Sequence, residues 1–106
     1  MDPIANEAEE IYQRLVSKKS VIGIMVINEN GIRTSLDNVT TTEVANGLIP
    51  LNDLARRTVR DLDPDNELLF LRIRTLRNEI MVGLDEQNMY IVLQDSRFIR
   101  ISQEAK

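Results

Sequence analysis

Residues 21–28 are the feature that most constrains the fold of this chain. They read Val-Ile-Gly-Ile-Met-Val-Ile-Asn, so apolar side chains fall on both alternating faces of an extended segment. A strand of this kind is buried on both sides. We therefore expect a sheet whose two faces are both covered, either by helices or by a partner.

Two amphipathic helices are predicted to flank this strand. Residues 4–19 carry an apolar stripe at helical spacing, and residues 43–60 carry a second one. Thr40 and Glu43 match a capping box, in which the threonine hydroxyl and the glutamate side chain satisfy free backbone amides. The second helix is therefore expected to begin at about residue 43.

Two residues interrupt the second predicted helix. In an ideal helix interior, Gly47 costs about 1 kcal/mol and Pro50 costs about 3 kcal/mol. The sequence therefore predicts a kink or a break near residues 46–50.

Four more strands complete the predicted domain, over residues 32–36, 68–74, 79–84 and 89–94. The order of elements favours an α+β fold with a mixed, mostly antiparallel five-stranded sheet and helices on both faces. A length of 106 residues indicates one domain spanning residues 1–106. The segment 95–106 is a C-terminal extension, and its apolar Phe98, Ile99 and Ile101 predict that part of it docks.

The composition excludes several classes of function. The chain has no cysteine, histidine or tryptophan, which removes disulfides, thiolate nucleophiles, the usual zinc sites and histidine acid–base catalysis. Its net charge of −4 argues against general nucleic-acid binding. The longest apolar run, residues 21–27, is too short to span a membrane, and the N-terminus lacks the pattern of a secretory signal. We expect a cytosolic protein without a cofactor.

The acidic segment after the second helix imitates the start of a calcium-binding loop. Asp61, Asp63 and Asp65 occupy the first, third and fifth positions, but Asn66 stands where glycine is needed and Arg72 where a bidentate glutamate is needed. Aspartates that end a helix and accept bonds from free amides are the better interpretation. No nucleophile is paired with a base and no phosphate-binding glycine motif occurs, so an enzyme is not expected.

The third predicted strand, residues 68–74, begins with four apolar residues. At a sheet edge such a strand would invite aggregation unless it were paired, whereas as an internal strand it would need no partner. Arg72 and Arg74 share one face of this strand. They either contact acidic residues of a partner or twin subunit, or simply form a solvated face.

Several segments together resemble the signature of the roadblock family of dynein light chains. The most specific are Thr-Val-Arg-Asp-Leu-Asp-Pro at 58–64, Asn-Glu-Leu at 66–68, Phe-Leu-Arg-Ile-Arg at 70–74 and Asn-Glu-Ile-Met-Val at 78–82. Segments 31–32, 36–38 and 40–42 fit the same pattern upstream, so the resemblance covers roughly residues 10–94.

The resemblance implies a roadblock fold, related to longin and profilin-like sheets, that dimerises. Edge strands of two subunits would pair into a ten-stranded sheet, and the central helices would pack across the twofold axis. The implied interface comprises Leu51, Leu54 and Thr58 of the central helix with Leu68, Phe70, Arg72 and Arg74 of the third strand. Relative to the family, the second strand is two residues shorter, Gly47 and Pro50 fall in the dimerising helix, and the C-terminus extends further.

The resemblance also implies a non-catalytic function. Such a light chain pairs with itself or a paralogue, binds the dynein intermediate chain, and supports motor assembly and cargo attachment in microtubule-based transport, in cytoplasmic or axonemal dynein. It does not assign the face that binds the partner. The alternative within the same fold is a scaffold or regulator of a small GTPase.

Overall fold

A computed structural model of the chain describes residues 6–95, which form two helices and five strands. The elements are α1 (Asn6–Val16), β1 (Val21–Asn28), β2 (Gly31–Thr34), α2 (Asn38–Leu62), β3 (Phe70–Arg74), β4 (Asn78–Leu84) and β5 (Met89–Asp95). Within residues 6–95, neither helix combines the length and apolarity that a membrane crossing requires.

The five strands form one sheet in the order β2-β1-β5-β4-β3. All four strand pairings are antiparallel, so the mixed sheet expected from the sequence is in fact wholly antiparallel. Strand β3 lies at one edge and β2 at the other. The α+β architecture with a five-stranded sheet is confirmed.

Strand β1 is buried on both faces, as its sequence predicts. On one face Ile24 and Val26 pack in a cluster with Tyr12 of α1. On the other face Met25 packs in a cluster with Leu48 of α2. The two helices therefore cover opposite faces of the sheet, and two apolar clusters sandwich its centre.

Helix α1 is fixed to the β2 edge by one arginine. The Arg33 side chain makes an ion pair with Glu9 at 3.0 Å, and its guanidinium lies 4.1 Å from the centre of the Tyr12 ring. The pKa of Glu9 lies below its ordinary value. The hydrogen bond from Arg33 is the larger cause, and the hydrogen bond from Gln13 is the smaller one.

Helix α2 begins earlier than the sequence predicts. Its N-cap is Asp37, whose carboxylate accepts a bond from the backbone amide of Thr40 at 2.8 Å and another from its hydroxyl at 2.9 Å. The prediction of a capping box at Thr40 and Glu43 is therefore wrong. Aspartate in an extended conformation just before the helix is at least as good a cap as threonine, and Thr40 lies within the first turn instead.

Of the predicted kink or break near residues 46–50, the break is wrong, because α2 runs for 25 residues through Pro50. The buried stripe Thr41, Ala45, Leu48 and Asn52 spans the proline and holds the helix on the sheet. Proline removes the bond to the carbonyl four residues earlier, and its ring crowds that same carbonyl. That carbonyl belongs to Asn46, an exposed residue where water can replace the missing donor.

Two strand boundaries differ from the prediction by two residues, and three others differ by one residue. Strand β2 ends at Thr34, because the Thr34 hydroxyl accepts from the amide of Leu36 at 3.0 Å and turns the chain toward α2. Strand β3 begins at Phe70, so residues 66–69 belong to no strand. The expected docking of the C-terminal extension lies outside residues 6–95.

Candidate interaction surfaces

One flank of α2 carries an exposed apolar stripe of Leu51, Leu54, Thr58 and Leu62. At 100° per residue these four positions fall within an arc of about 80°. Leu54 is 55% exposed and Leu62 is 82% exposed. The Thr58 hydroxyl donates to the Leu54 carbonyl at 2.8 Å, which satisfies it locally and leaves its methyl group on the stripe. The structure thus places the three helical residues of the sequence-predicted interface on one surface.

The remaining predicted interface residues lie at or next to the sheet edge. Phe70, Arg72 and Arg74 alternate along β3 on one face, and Phe70 is 44% exposed. Leu68 lies just before the strand and is half-buried. An edge strand presents unpaired backbone amides and carbonyls, which are a template for pairing with another strand.

Both arginines of β3 are engaged within their own hairpin. Arg72 makes an ion pair with Glu79 of β4 at 2.6 Å and lies 5.5 Å from the centre of the Phe70 ring. Arg74 donates to the backbone carbonyls of Thr75 at 2.9 Å and Asn78 at 3.2 Å. Glu79 is a partner that the sequence alone did not predict, because the strand register brings the two side chains together.

A cavity of about 480 Å³ lies between the second half of α2 and the adjacent end of the sheet. Its apolar lining comes from β1, β4, β5 and the segment before β3. These residues are Ile27, Leu68, Leu69, Leu84 and Met89.

The rim of this cavity is charged and carries more carboxylates than guanidiniums. It consists of Asp53, Glu67, Asp85 and Glu86 together with Arg56 and Arg60. Within residues 6–95, none of these six side chains takes part in an ion pair. The rim is therefore net negative by two charges.

Asp85 holds the β4–β5 turn that forms one wall of the cavity. Its Oδ1 accepts from the backbone amides of Asn88 at 2.6 Å and Gln87 at 2.9 Å. Desolvation raises the pKa of Asp85, but the bonds from Asn88 and Gln87 outweigh it, so the pKa lies below the ordinary aspartate value. Burial, followed by the negative charge of Asp85, raises the pKa of Tyr90.

Asn52 lines the cavity and is the residue that sequence reasoning missed. It is 3% exposed, and its Oδ1 has no hydrogen-bond partner among the described residues. The signal was present in the sequence, because Asn52 continues the spacing of Thr41, Ala45 and Leu48 on the buried side of α2. A polar residue at the end of an otherwise buried helix stripe is a sequence signal for a binding site at that end of the helix.

The acidic segment 61–67 ends helix α2. The amide of Asp63 donates to the Val59 carbonyl at 3.0 Å, and its carboxylate accepts from the amide of Asp65 at 3.1 Å. Across residues 6–95 no group of three or more acidic side chains is arranged to hold a metal ion.

Comparison with known proteins gives two findings. A family model described as the Roadblock/LC7 domain matches residues 7–95. Among solved structures, the chain is similar to the crystal structure of a Roadblock/LC7 domain from Streptomyces avermitilis. The two share 10% identity and a TM-score of 0.67, over 79% of this chain and 73% of that chain. At that identity, the similarity to the bacterial domain concerns the fold alone.

Proposed function

The chain belongs to the Roadblock/LC7 domain family, and from that premise we propose that it is a non-catalytic, dimeric dynein light chain. Such a subunit binds the dynein intermediate chain and supports motor assembly and cargo attachment on microtubules. Its place would be the cytoplasm, associated with the cytoskeleton. The observation that carries the proposal is the presence of an apolar helix flank and an unpaired strand edge on the same domain.

The proposed dimer uses both features together. A closed twofold contact buries the same patch on both subunits, so β3 pairs with the β3 of a second copy or a paralogue. That pairing joins two five-stranded sheets into one of ten strands. Within the stripe, Leu51, Leu54 and Thr58 pack against the same residues of the second subunit. Four further residues lie along the joined strand edges: Leu68, Phe70, Arg72 and Arg74.

Burial of the leucine stripe supplies the driving force. Fully burying a leucine side chain is worth about 1.5–3 kcal/mol. Leu51 is 42% exposed and Leu54 is 55% exposed, so covering each of them adds roughly half of that amount. Strand pairing adds the hydrogen bonds that the free edge of β3 lacks. The dimer then offers the intermediate chain one continuous surface that neither subunit has alone.

Multi-angle light scattering on the full chain tests the dimer. We expect twice the chain mass of 12.2 kDa. Leu54→Asp places a charge in the proposed contact and should give a monomer. Val39→Asp, at an exposed apolar position in the first turn of the same helix, is the matched control and should remain dimeric.

Binding to an intermediate-chain peptide tests the partner. The wild-type chain and Val39→Asp should bind the peptide, and Leu54→Asp should lose binding together with the dimer. A wild-type chain that stays monomeric and ignores the peptide would contradict the proposal.

The second candidate is a scaffold or regulator of a small GTPase. It is the alternative within the same family, because the Roadblock/LC7 domain by itself does not select dynein. Pull-down against GTPases loaded with GDP or with a GTP analogue separates the two. A regulator should prefer one nucleotide state, whereas a dynein light chain should bind neither.

A further inference from the structure

The cavity beside Asn52 lies on the flank of α2 that the proposed dimer does not use. At 100° per residue, Arg56 and Arg60 are at least about 120° around the helix from Leu51, Leu54 and Thr58. A second copy packed on the leucine stripe therefore leaves this helix flank uncovered. The cavity must be considered as a separate surface.

The buried amide of Asn52 indicates what the cavity lacks. A buried acceptor without a hydrogen bond is costly, and nearly all such groups in folded proteins are satisfied. Among the described residues nothing donates to its Oδ1. An occupant that brings a hydrogen-bond donor would remove this deficit once the Asn52 side chain turns its buried oxygen toward the cavity.

The charges of the rim specify the kind of donor. The four carboxylates and two guanidiniums leave a net negative charge, and none of them is neutralised by an ion pair within residues 6–95. A cationic donor is attracted by this rim, whereas an anionic group would meet both the carboxylates and the Asn52 oxygen. Hydrogen bonds from charged donors are also about twice as strong as those between neutral groups.

The lining specifies the rest of the occupant. Ile27, Leu84 and Met89 offer apolar surface, and lysine and arginine both lay a hydrocarbon stem on such surface while their head group stays polar. The volume of about 480 Å³ accommodates one such side chain together with a flanking apolar residue. Residues 67–69 form one wall, which the bond from the Leu84 amide to the Leu69 carbonyl at 3.1 Å ties to β4.

We propose that this cavity accepts a lysine or arginine side chain from a short basic and apolar segment of a partner protein. The head group donates a hydrogen bond to Asn52 Oδ1, and the carboxylates of Glu67 and Glu86 face its charge. This inference rests on the proposed adaptor function, which supplies a partner. It assigns that partner a contact on the flank of α2 opposite the leucine stripe. Of the residues that line the cavity, Leu68 also belongs to the proposed dimer interface.

Titration of the ¹⁵N-labelled full chain with three matched peptides tests the cavity. The probes are acetyl-Gly-Leu-Lys-Leu-Gly-amide and the same peptide with glutamate or glutamine in place of lysine. We expect saturable shifts of the Asn52 side-chain amide and of the Leu84 and Met89 backbone amides. The lysine peptide should bind about tenfold more tightly than the other two, and added salt should weaken it.

Two pairs of variants assign the effect to the cavity. Asn52→Leu should abolish the preference for lysine, while Asn46→Leu, an exposed asparagine of the same helix, should retain it. Glu86→Gln should weaken binding of the lysine peptide, while Glu43→Gln, outside the cavity, should not. If Asn52→Leu fails to fold, the comparison of Glu86→Gln with Glu43→Gln still tests whether the peptide binds in the cavity.

Three results would overturn the assignment: equal or tighter binding of the glutamate peptide, an unchanged preference in Asn52→Leu, or no saturable shift at the cavity. Equal or tighter binding of the glutamate peptide would instead indicate that the cavity binds an acidic segment through Arg56 and Arg60. Light scattering on the same samples keeps the two proposals apart. A monomer that binds the lysine peptide would refute only the dimer, and a dimer that ignores it would refute only the cavity.

Discussion

Arg72 Nε lies 2.6 Å from the Oε1 of Glu79, and this ion pair ties the edge strand β3 to β4. The two side chains differ sharply in environment, because the arginine side chain is 62% exposed and the glutamate side chain is 6% exposed. The exposed arginine therefore supplies the hydrogen bond and the opposite charge that the buried Glu79 carboxylate needs.

Arg72→Met should destabilise the protein by about 1 kcal/mol. It keeps much of the aliphatic stem but leaves the Glu79 carboxylate without its partner, and the exposure of Arg72 reduces the loss below that of a fully buried pair. Urea unfolding of Arg72→Met against Arg77→Met measures it, since Arg77 is exposed and outside the ion pair. Adding Glu79→Gln should recover part of the loss, and the absence of recovery would contradict this account.

Gly23→Ala should destabilise the protein by about 1–3 kcal/mol, because it overpacks the core. A Cβ at Gly23 would collide with the Leu36 Cδ2 and would lie 3.0 Å from its Cγ, and Leu36 packs on the cluster around Met25. Gly83→Ala is the strand control, because a Cβ there meets nothing within 4 Å. Thermal unfolding should show the loss in Gly23→Ala only, with partial rescue by Leu36→Val.

Gly47→Ala should stabilise the protein by about 1 kcal/mol, since alanine restricts the unfolded chain and favours the helix. The position lies inside α2, and a Cβ there meets no atom within 4 Å. Urea unfolding at a fixed protein concentration checks the change. Lower stability would mean that the space around Gly47 is filled by something outside the chain, such as the helix of a second copy.

Asp37 should make the stability of the protein depend on pH in the acid range. The bonds from the backbone amide and then the hydroxyl of Thr40 lower the pKa of its carboxyl below the ordinary value. The folded state therefore binds this proton less readily than the unfolded state. Its contribution is complete above the unfolded pKa and is lost as the pH falls through the folded pKa.

Asp37→Asn separates this effect from the rest of the acid transition. Asparagine is an equally good cap but does not titrate, so melting temperatures of the variant should fall less steeply from neutral pH into acid. Identical slopes for the wild-type chain and the variant would show that the cap carboxylate does not contribute.

Asn52→Leu should raise the free energy of unfolding by about 1–3 kcal/mol, because it replaces an unsatisfied buried amide with an apolar side chain of similar size. Thermal unfolding of Asn52→Leu beside Asn46→Leu measures the difference, since Asn46 is exposed. A drop in stability would mean that the amide is satisfied in solution.

Local patterns in the sequence predicted the elements and the faces they bury. The doubly apolar segment at 21–28 became a strand buried on both faces, and the apolar stripes became helices on opposite sides of the sheet. Errors arose where two local signals competed. Asp37 was a better cap than Thr40, and the packing of a long buried stripe outweighed the interruption by Pro50.

The candidate surfaces were predicted less completely. The resemblance pointed to Leu54 and Phe70, and the structure places both on exposed surface. It did not point to Asn52 or Glu79. Their roles depend on neighbours far away in the chain, such as the turn at residues 85–88 and the strand register of β3 with β4.

The sequence by itself determined the class of fold, the two covered faces of the sheet and membership of a family, because side-chain periodicity and a contiguous signature are local properties. Only the tertiary structure decided that β3 is an edge and that Arg72 satisfies Glu79. It also decided that Asn52 lines a cavity and that its Oδ1 has no partner within residues 6–95. Strand order and cavity walls come from pairing between distant segments, and no local pattern encodes which segments will meet.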